Sequence, residues 1–542
     1  MTGAELFVAS LEAAGIDTLY GVPGEENTAM MLALQASDID VVLTRQEQAA
    51  AFMASVHGRV TGRPAGCFAT LGPGATNLVT GVADATLDHV PLVAITAQGS
   101  RARLGRSESH QVIDLEALFE PVTKLSHLLI HEDDIAGGVA EAVRVAREPR
   151  PGAVHLCLPE DLAGADVKGA PVELSDVSEP MAAPAQIGSA LNILMATEHP
   201  LILAGAGVLR AQAAPQLAAL AEQSGIPVAT TFMAKGILRP DHPLHLHCVG
   251  QPFADHIDDV LAQSDVILAV GFDPIELSPT DLNLSPKAKV LHVSDVPAAI
   301  DVGWPLAADL QGAIAPTLRA LEAGLKGKTW DLSETVLAVR ERVSSQRRAE
   351  HGAEDGLHPA DILRIVEASL DPDDTVLSGV GTHKMEVARY LAAQRPGQVI
   401  IPNGLAGMGL ALPGAIAAAR LSDAGRTLAI SGDGEFLMNV QDMETAARLG
   451  VSLRVLLWED GGYGLIKAKQ EDDTGTHTDL AFGNPDWDYL ARSFGWHHTR
   501  VASTKELSTA LSVDGHALHL ITLPVSYAQA LERDDIGLSR DK

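Results

Sequence analysis

Cysteine is scarce in this chain: Cys67, Cys157 and Cys248 are the three among 542 residues, too far apart in sequence to build a disulfide framework. Buried thiols in a reducing cytoplasm are the expectation. Positive charge is also short, with 39 Lys and Arg against 70 Asp and Glu and a formal net charge of −31. Such a chain repels DNA, RNA and anionic lipid, so no nucleic-acid partner is expected and the excess acid belongs on solvated faces. Long apolar runs are missing too. Stretches such as 90–96 and 266–270 are strand-sized, well below the roughly 20 residues of a membrane span. The opening MTGAELF has no basic n-region, apolar h-region or small-residue cleavage pattern, so secretion is not expected. No short repeat of the solenoid kind recurs.

What is present is a globular composition, 46% hydrophobic and 20% charged, in a length that suits roughly three domains. Helical spacing at 5–14 gives way to short β-branched or apolar runs at 39–43, 66–70, 92–96 and 153–158. A second block starts at His199-Pro200 with LILAGAG, an Ala- and Leu-rich helix at 211–223, then PVATT, DVILAVG and KVLHVS; a third runs from about 357 to 523. Strands separated by helices predict α/β architecture: three doubly wound parallel-sheet domains, at 1–165, 185–325 and 357–530. The Pro-, Ala- and acid-rich stretch 164–184 and the charged stretch 326–356 read as linkers, the latter containing a surface helix in VLAVRERVSSQRRAE.

The chemistry concentrates in residues 426–470. They read as a strand at 427–430, the turn Ser431-Gly432-Asp433-Gly434, a helix at about 439–449, a strand at 453–458 and the turn Glu459-Asp460-Gly461-Gly462. In a parallel sheet both turns emerge at the carboxyl ends of neighbouring strands, where open α/β sheets bind ligands. Two carboxylates there, beside glycines that free backbone groups, suit Mg²⁺, which takes one or two carboxylates and fills its octahedron with phosphate oxygens and water. A helix start after Gly434 offers amides to an anion. The plain alternative is two tight turns capped by Asp; the second Asp with GGYG behind it favours the metal-diphosphate site.

At this spacing of 27 residues between Asp433 and Asp460, the segment resembles the metal motif of thiamine diphosphate (ThDP) enzymes. The resemblance implies that Asp433, Asp460 and the Gly462 carbonyl bind Mg²⁺, and that Gly432, Gly434, Glu435, Tyr463, Gly464, Leu465 and Ile466 line the cofactor. Asp at 460, where many members have Asn, is similar to the catabolic, FAD-independent acetolactate synthases. Arg45-Gln46-Glu47-Gln48-Ala49-Ala50 resembles the family's RHEQxA segment and residues 71–77, LGPGATN, its SGPGATN loop. Glu47 then matches the glutamate that hydrogen-bonds the aminopyrimidine, where a carboxyl shielded from water shares a proton with the ring nitrogen; by periodicity alone it is a helix N-terminal acid. The resemblance implies Pro23 and Asn77 as further cofactor positions. Val380-Gly381-Thr382-His383 resembles a diphosphate-contacting segment, and Asn403-Gly404-Leu405-Ala406-Gly407-Met408-Gly409 the one that holds the pyrimidine, with Ala406 beside it and Met408 as the wedge between the two rings. On this likeness the three blocks are a pyrimidine-binding domain, a central Rossmann-like domain and a diphosphate-binding domain.

In the central block, Gly205-Ala206-Gly207-Val208-Leu209-Arg210 lacks the third glycine of a dinucleotide turn and reads better as a helix-packing turn. Gly271-Phe272-Asp273-Pro274-Ile275-Glu276 resembles the GYDPIEY segment of the FAD-independent enzymes, which argues against flavin. His242, His245, His247 and Cys248 are too compressed for a zinc site, with His245 and His247 at strand alternation. His110-Gln111 and FEPVTKLS at 119–126 resemble the substrate side of the acetolactate synthase pocket. Other positions depart from that pattern: Gln46 replaces a histidine, Pro23-Gly24-Glu25-Glu26-Asn27 replaces a lysine-bearing PGAKI, Gly379 stands where Asp is frequent, and Lys469 where Gln or Trp is usual. Lys469 reads either as a partner for an acceptor carboxylate or as a lid surface residue.

The resemblance implies an acetolactate synthase-like carboligase: pyruvate is decarboxylated on ThDP, and the hydroxyethyl unit joins a second small 2-oxo acid to give 2-acetolactate and CO₂. Glu47, Gln111 and Lys469 are the expected catalytic side chains. The alternatives are a ThDP-dependent 2-oxo acid decarboxylase or aldehyde lyase, and an inert cofactor-binding homologue. The family's shared sites imply that Glu47 and Asp433 come from different chains of a homodimer or homotetramer.

Overall fold

The structure, a computed structural model, describes residues 1–106, 110–175, 180–250, 257–299, 303–352, 355–422, 425–513 and 517–527. Residues 528–530, the end of the third expected block, lie outside these, as do 176–179 and 353–354 of the two linkers. Three six-stranded sheets follow one another along the chain, and every strand pair in them is parallel.

The first sheet contains β1 (Thr18–Gly21), β2 (Asp40–Leu43), β3 (Ala65–Ala69), β4 (Leu92–Gln98), β5 (Ser126–Leu128) and β6 (Ala153–Pro159), in the order β2-β1-β3-β4-β6-β5. The second contains β7 (Pro200–Ala204), β8 (Val228–Thr230), β9 (His245–Cys248), β10 (Val266–Val270), β11 (Lys289–Ser294) and β12 (Leu306–Gln311), ordered β12-β11-β10-β7-β8-β9. The third contains β13 (Thr375–Ser378), β14 (Val399–Ile400), β15 (Thr427–Gly432), β16 (Leu453–Glu459), β17 (His497–Arg500) and β18 (Leu518–Pro524), ordered β14-β13-β15-β16-β18-β17. The first and third sheets thus share one topology, and the second has the Rossmann order. Helices cover both faces, which is why β4, β6 and β10 are buried at every position and read as continuous apolar runs instead of alternating ones.

The helix Glu47–Thr61 organises the junction of the first and third blocks. Every residue from Ala49 to Gly58 is buried, so it is apolar all round and needs neighbours on every side. Small residues let them approach: a Cβ on Gly81 would lie 2.5 Å from Ala51 Cβ, and one on Gly414 would lie 2.7 Å from Val56 Cγ2. One buried cluster therefore runs from Phe52, Met53 and Val56 to Leu412, Ala415 and Ile416. Polar contacts seal its edge, with Arg420 on Asp40 and the Arg45 amide on Asp442 Oδ1 at 3.0 Å.

Two local readings of the sequence change. The helix expected at 439–449 begins at Met443, after a single turn Val440–Asp442. Asn439 Nδ2 instead donates to the Gly409 carbonyl (2.9 Å), and Asp442 accepts from the Arg45 amide and the Thr445 hydroxyl, so these side chains bind neighbouring segments instead of extending a helix. In β9 the register with β8 shifts and His247 takes φ +65°, which breaks the expected alternation and brings the rings of His245 and His247 to 4.5 Å. Burial pushes these imidazoles down to about 3 and about 2. The charged segment does form a surface helix, Glu334–Arg348, burying just Val336 and Val339. Among the described residues no helix is long and apolar enough to cross a membrane.

Candidate active site

In the third sheet the chain reverses its direction of winding between β13 and β15, and ligands of open α/β sheets bind at such a switch point. Three strand ends meet there. Asp433 follows β15 and is 1% exposed; its Oδ1 accepts from the Gly434 amide (2.8 Å), and its Oδ2 from the Gly461 amide (2.9 Å) beyond β16 and from Asn484 Nδ2 (2.7 Å). Asp460 follows β16. Burial, reinforced by the negative charge of Asp433, pushes its carboxyl up to about 6. Thr382 follows β13, with its Oγ1 buried and unpartnered. A Cβ on Gly464 would stand 2.8 Å from Asp460 Oδ2 and 3.0 Å from Thr382 Oγ1, so the missing side chain leaves a cradle between them.

Two opposed carboxylates, Asp433 buried and Asp460 opening to the surface, together with an orphaned hydroxyl make a donor set of hard oxygens, and Mg²⁺ fits it. The helices Thr382–Tyr390 and Gly464–Thr474 both start at this spot without a side-chain cap, leaving their first amides to an anion. His383 is buried alongside, its Nδ1 3.1 Å from where a Cβ on Gly381 or on Gly432 would sit, and its Nε2 3.3 Å from Glu435 Oε2.

Across this turn folds the segment 479–484. Tyr463 N donates to the Leu480 carbonyl (3.2 Å) and Phe482 N to the Gly461 carbonyl (2.9 Å), an antiparallel bridge that pins Gly462 opposite Ala481. The rings of Tyr463 and Phe482 meet edge to face at 5.2 Å and lie over Gly434, beside an open cleft of about 490 Å³. Asn484, which donates to Asp433, is a side chain of this cluster that sequence reasoning missed; its one local signal is the Asn-Pro pair of a turn. Leu465 is half-buried, Ile466 is 50% exposed, and the helix they begin buries no residue within the chain. Lys469 is on that helix, pairs with Asp473 at 3.1 Å and is 71% exposed.

The segment 403–409 is held in an unusual conformation. Ala406 has φ +54°, a region costly for a residue with a Cβ. Gly407 is pressed to 3.2 Å (as a Cβ would be) from Phe52 Cζ, and Met408 is half-buried next to it. Asp88 anchors the segment's start, accepting from the Gly404 amide (2.6 Å) and the Asn403 amide (3.3 Å) while paired with Arg59.

The other predicted group gathers at the switch point of the first sheet, between β1 and β3. Glu47 is the first residue of its helix, partly exposed, with Oε2 accepting from Asn77 Nδ2 at 2.9 Å and Oε1 3.4 Å from where a Cβ on Gly74 would be. Gly72 has φ +51°, and a Cβ there would strike the Gln111 carbonyl at 2.7 Å, so the LGPG loop and Gln111 are neighbours. Gln111 itself has φ +59° and is exposed. Pro23 is exposed at the end of β1, and Glu26 accepts from the Thr70 hydroxyl at 2.7 Å across the switch point. Among the described residues of one chain, no hydrogen bond or ion pair joins Glu47 to Asp433 or Asp460.

In the central sheet the GxGxxR turn is already filled. Both Glu276 oxygens accept from the Ala206 amide (3.0 and 3.1 Å) and one from the Thr231 hydroxyl (2.5 Å), and burial pushes this carboxyl up to about 7. The amide a dinucleotide phosphate would use is thus taken by the chain's own carboxylate, supplied by the GFDPIE segment.

Comparison with known proteins gives three family matches: thiamine pyrophosphate enzyme, N-terminal TPP binding domain, over residues 1–118; central domain, over 187–321; and C-terminal TPP binding domain, over 379–514. The acetolactate synthase of Bacillus subtilis (strain 168) is 31% identical, covering 100% of this chain and 95% of that protein. The acetolactate synthase large subunit of Corynebacterium glutamicum is 33% identical over 94% of this chain and 84% of its own length. The catabolic acetolactate synthase of Raoultella terrigena is 30% identical over 97% and 95%. With both glycine-rich switch points inside the matched terminal domains, the chain belongs to the thiamine pyrophosphate (thiamine diphosphate) enzymes.

Proposed function

We propose that this ThDP-dependent enzyme is an acetolactate synthase, joining the two-carbon unit of one pyruvate to a second small 2-oxo acid with release of CO₂. The observation that carries the metal-diphosphate site is the convergence of Asp433, Asp460 and the unpartnered Thr382 hydroxyl beside two uncapped helix starts. The choice of reaction is supported by full-length relatives named acetolactate synthases.

Asp433, Asp460 and the Gly462 carbonyl would hold Mg²⁺, and the first amides of helices Thr382–Tyr390 and Gly464–Thr474 would hold the diphosphate, with Val380, Gly381 and His383 around it. When bound, ThDP supplies a nucleophilic carbon and an electron sink for decarboxylation. Glu47, oriented by Asn77, would hold the proton at the aminopyrimidine nitrogen. Met408, on the segment strained at Ala406, would fill the space between the two cofactor rings. Gln111 would face the 2-oxo acid, and Lys469 would reach an acceptor carboxylate only on leaving Asp473.

In this reading Glu47 of one protomer faces Asp433 of another in a homodimer or homotetramer, which covers the apolar residues left exposed at the site: Leu405, Met438, Tyr463 and Ile466. Glu276 in the central turn supports a reaction run without flavin. Three buried cysteines held outside any disulfide among the described residues suit a reducing cytoplasm. The test is product identification from purified protein with pyruvate, ThDP and Mg²⁺: 2-acetolactate is expected, and acetaldehyde alone would identify a decarboxylase.

A further inference from the structure

Glu435 is 1% exposed, yet its carboxylate serves the protein's own backbone. Oε1 accepts from the Gly409 amide (3.1 Å) and the Ala411 amide (3.4 Å); Oε2 accepts from the Ser431 hydroxyl (3.1 Å) and faces His383 Nε2. Gly409 directly follows Met408, and Glu435 is two residues after Asp433. One buried carboxylate therefore spans the segment of the wedge residue and the turn of the metal ligand. Asn439 completes the grip by donating to the Gly409 carbonyl at 2.9 Å.

The space that makes this possible belongs to another residue. A Cβ on Gly379 would lie 1.6 Å from Glu435 Oε2 and 2.4 Å from Glu435 Cδ, well inside van der Waals contact. The φ at this position is not in the left-handed region, so the backbone does not call for glycine; the neighbouring carboxylate does.

We infer that Glu435 is a positioning residue that sets the separation between the metal turn and the Met408 segment, and that Gly379 and Glu435 form an obligate pair in which the glycine houses the carboxylate. The inference rests on Asp433 being a metal ligand, and the experiment separates the two claims. Affinity for ThDP with Mg²⁺ is measured by titration calorimetry and folding by thermal unfolding, for wild type, Glu435→Gln, Glu435→Ala, Gly379→Ala, Gly379→Ala/Glu435→Ala and Asp433→Ala.

Loss of a carboxylate that accepts two amides predicts about tenfold or greater weakening of cofactor binding in Glu435→Ala. Glu435→Gln, which keeps an acceptor oxygen in place, should recover most of that affinity. Gly379→Ala should lower the unfolding temperature, and adding Glu435→Ala should restore it without restoring affinity. The double variant also fills the vacated space, so the affinity comparison survives if Glu435→Ala alone does not fold. Wild-type affinity in the folded Glu435 variants overturns the positioning role, and an unperturbed Gly379→Ala or a failed rescue overturns the pair. Unchanged affinity in Asp433→Ala instead overturns the metal reading, while leaving the Gly379–Glu435 rescue to stand by itself.

Discussion

Replacing Asp84 by Asn should stabilise this protein, by an amount that grows with pH. Asp84 lies fully buried on helix Pro73–Leu87, and its oxygens find no well-aligned hydrogen bond. Burial first, and the negative charge of Asp88 second, push its carboxyl from 3.8 up to about 8, against the pull of Arg59, the Gly407 amide and Lys384. The folded protein therefore holds a proton here at pH 7 that the unfolded chain has released. Because the folded value is the higher one, stability falls as pH rises from 3.8 toward 8. The gap between 3.8 and pH 7, at 1.36 kcal/mol per pH unit, amounts to about 4 kcal/mol; at pH 5 it is about 2 kcal/mol. Asn has the same shape and no proton to take up, so Asp84→Asn should exceed wild type by about those amounts. Urea unfolding at pH 5, 6 and 7 measures the difference. Equal stability at pH 7, or a difference that does not narrow toward pH 5, would falsify the assignment of an abnormally weak acid at this site.

Further outcomes follow from the same geometry. Glu47→Gln should bind ThDP and Mg²⁺ with little loss while turnover drops by about 100-fold or more, since the amide keeps the hydrogen bond but cannot exchange the proton; retained turnover would show that Glu47 is not the proton-handling group. Asp433→Ala should weaken Mg²⁺-ThDP binding itself, read by calorimetry, because it removes one carboxylate and with it the anchors of Gly461 and Asn484. Glu276→Ala leaves the buried Ala206 amide and Thr231 hydroxyl without their acceptor, a loss of about 1–3 kcal/mol measurable by denaturation; no loss would mean that water replaces the carboxylate.

The fold and the two clusters were largely legible in the amino-acid order because both depend on local signals. Apolar runs of strand length separated by helical spacing announce parallel sheets, and a glycine-flanked Asp after such a run announces a strand-end turn. Asp433, Gly461 and Gly464 are readable for that reason. The Asn439 contact was misread as helix because its partner, Gly409, is 30 residues away in sequence, and nothing local marks it. Asn484 escaped notice on the same ground, reaching Asp433 from a segment whose composition is that of any polar loop. Lys469 fits both of its sequence readings: its spacing from Asp460 suggests a partner for an acceptor carboxylate, and its helix offers it Asp473 one turn away.

What the sequence determines by itself is the set of available chemistry: an acidic, cysteine-poor α/β chain with carboxylates at the ends of apolar strands and glycines in the turns beside them. Tertiary structure alone decided which groups answer to one another. It placed Glu276 in the central turn, turned Glu435 into the space above Gly379, and set Asp433 and Asp460 against each other so that burial and like charge raise one carboxyl to about 6. Those outcomes depend on distances between segments far apart in the chain. They are fixed by how the sheets and the buried helix Glu47–Thr61 pack, which no local pattern encodes.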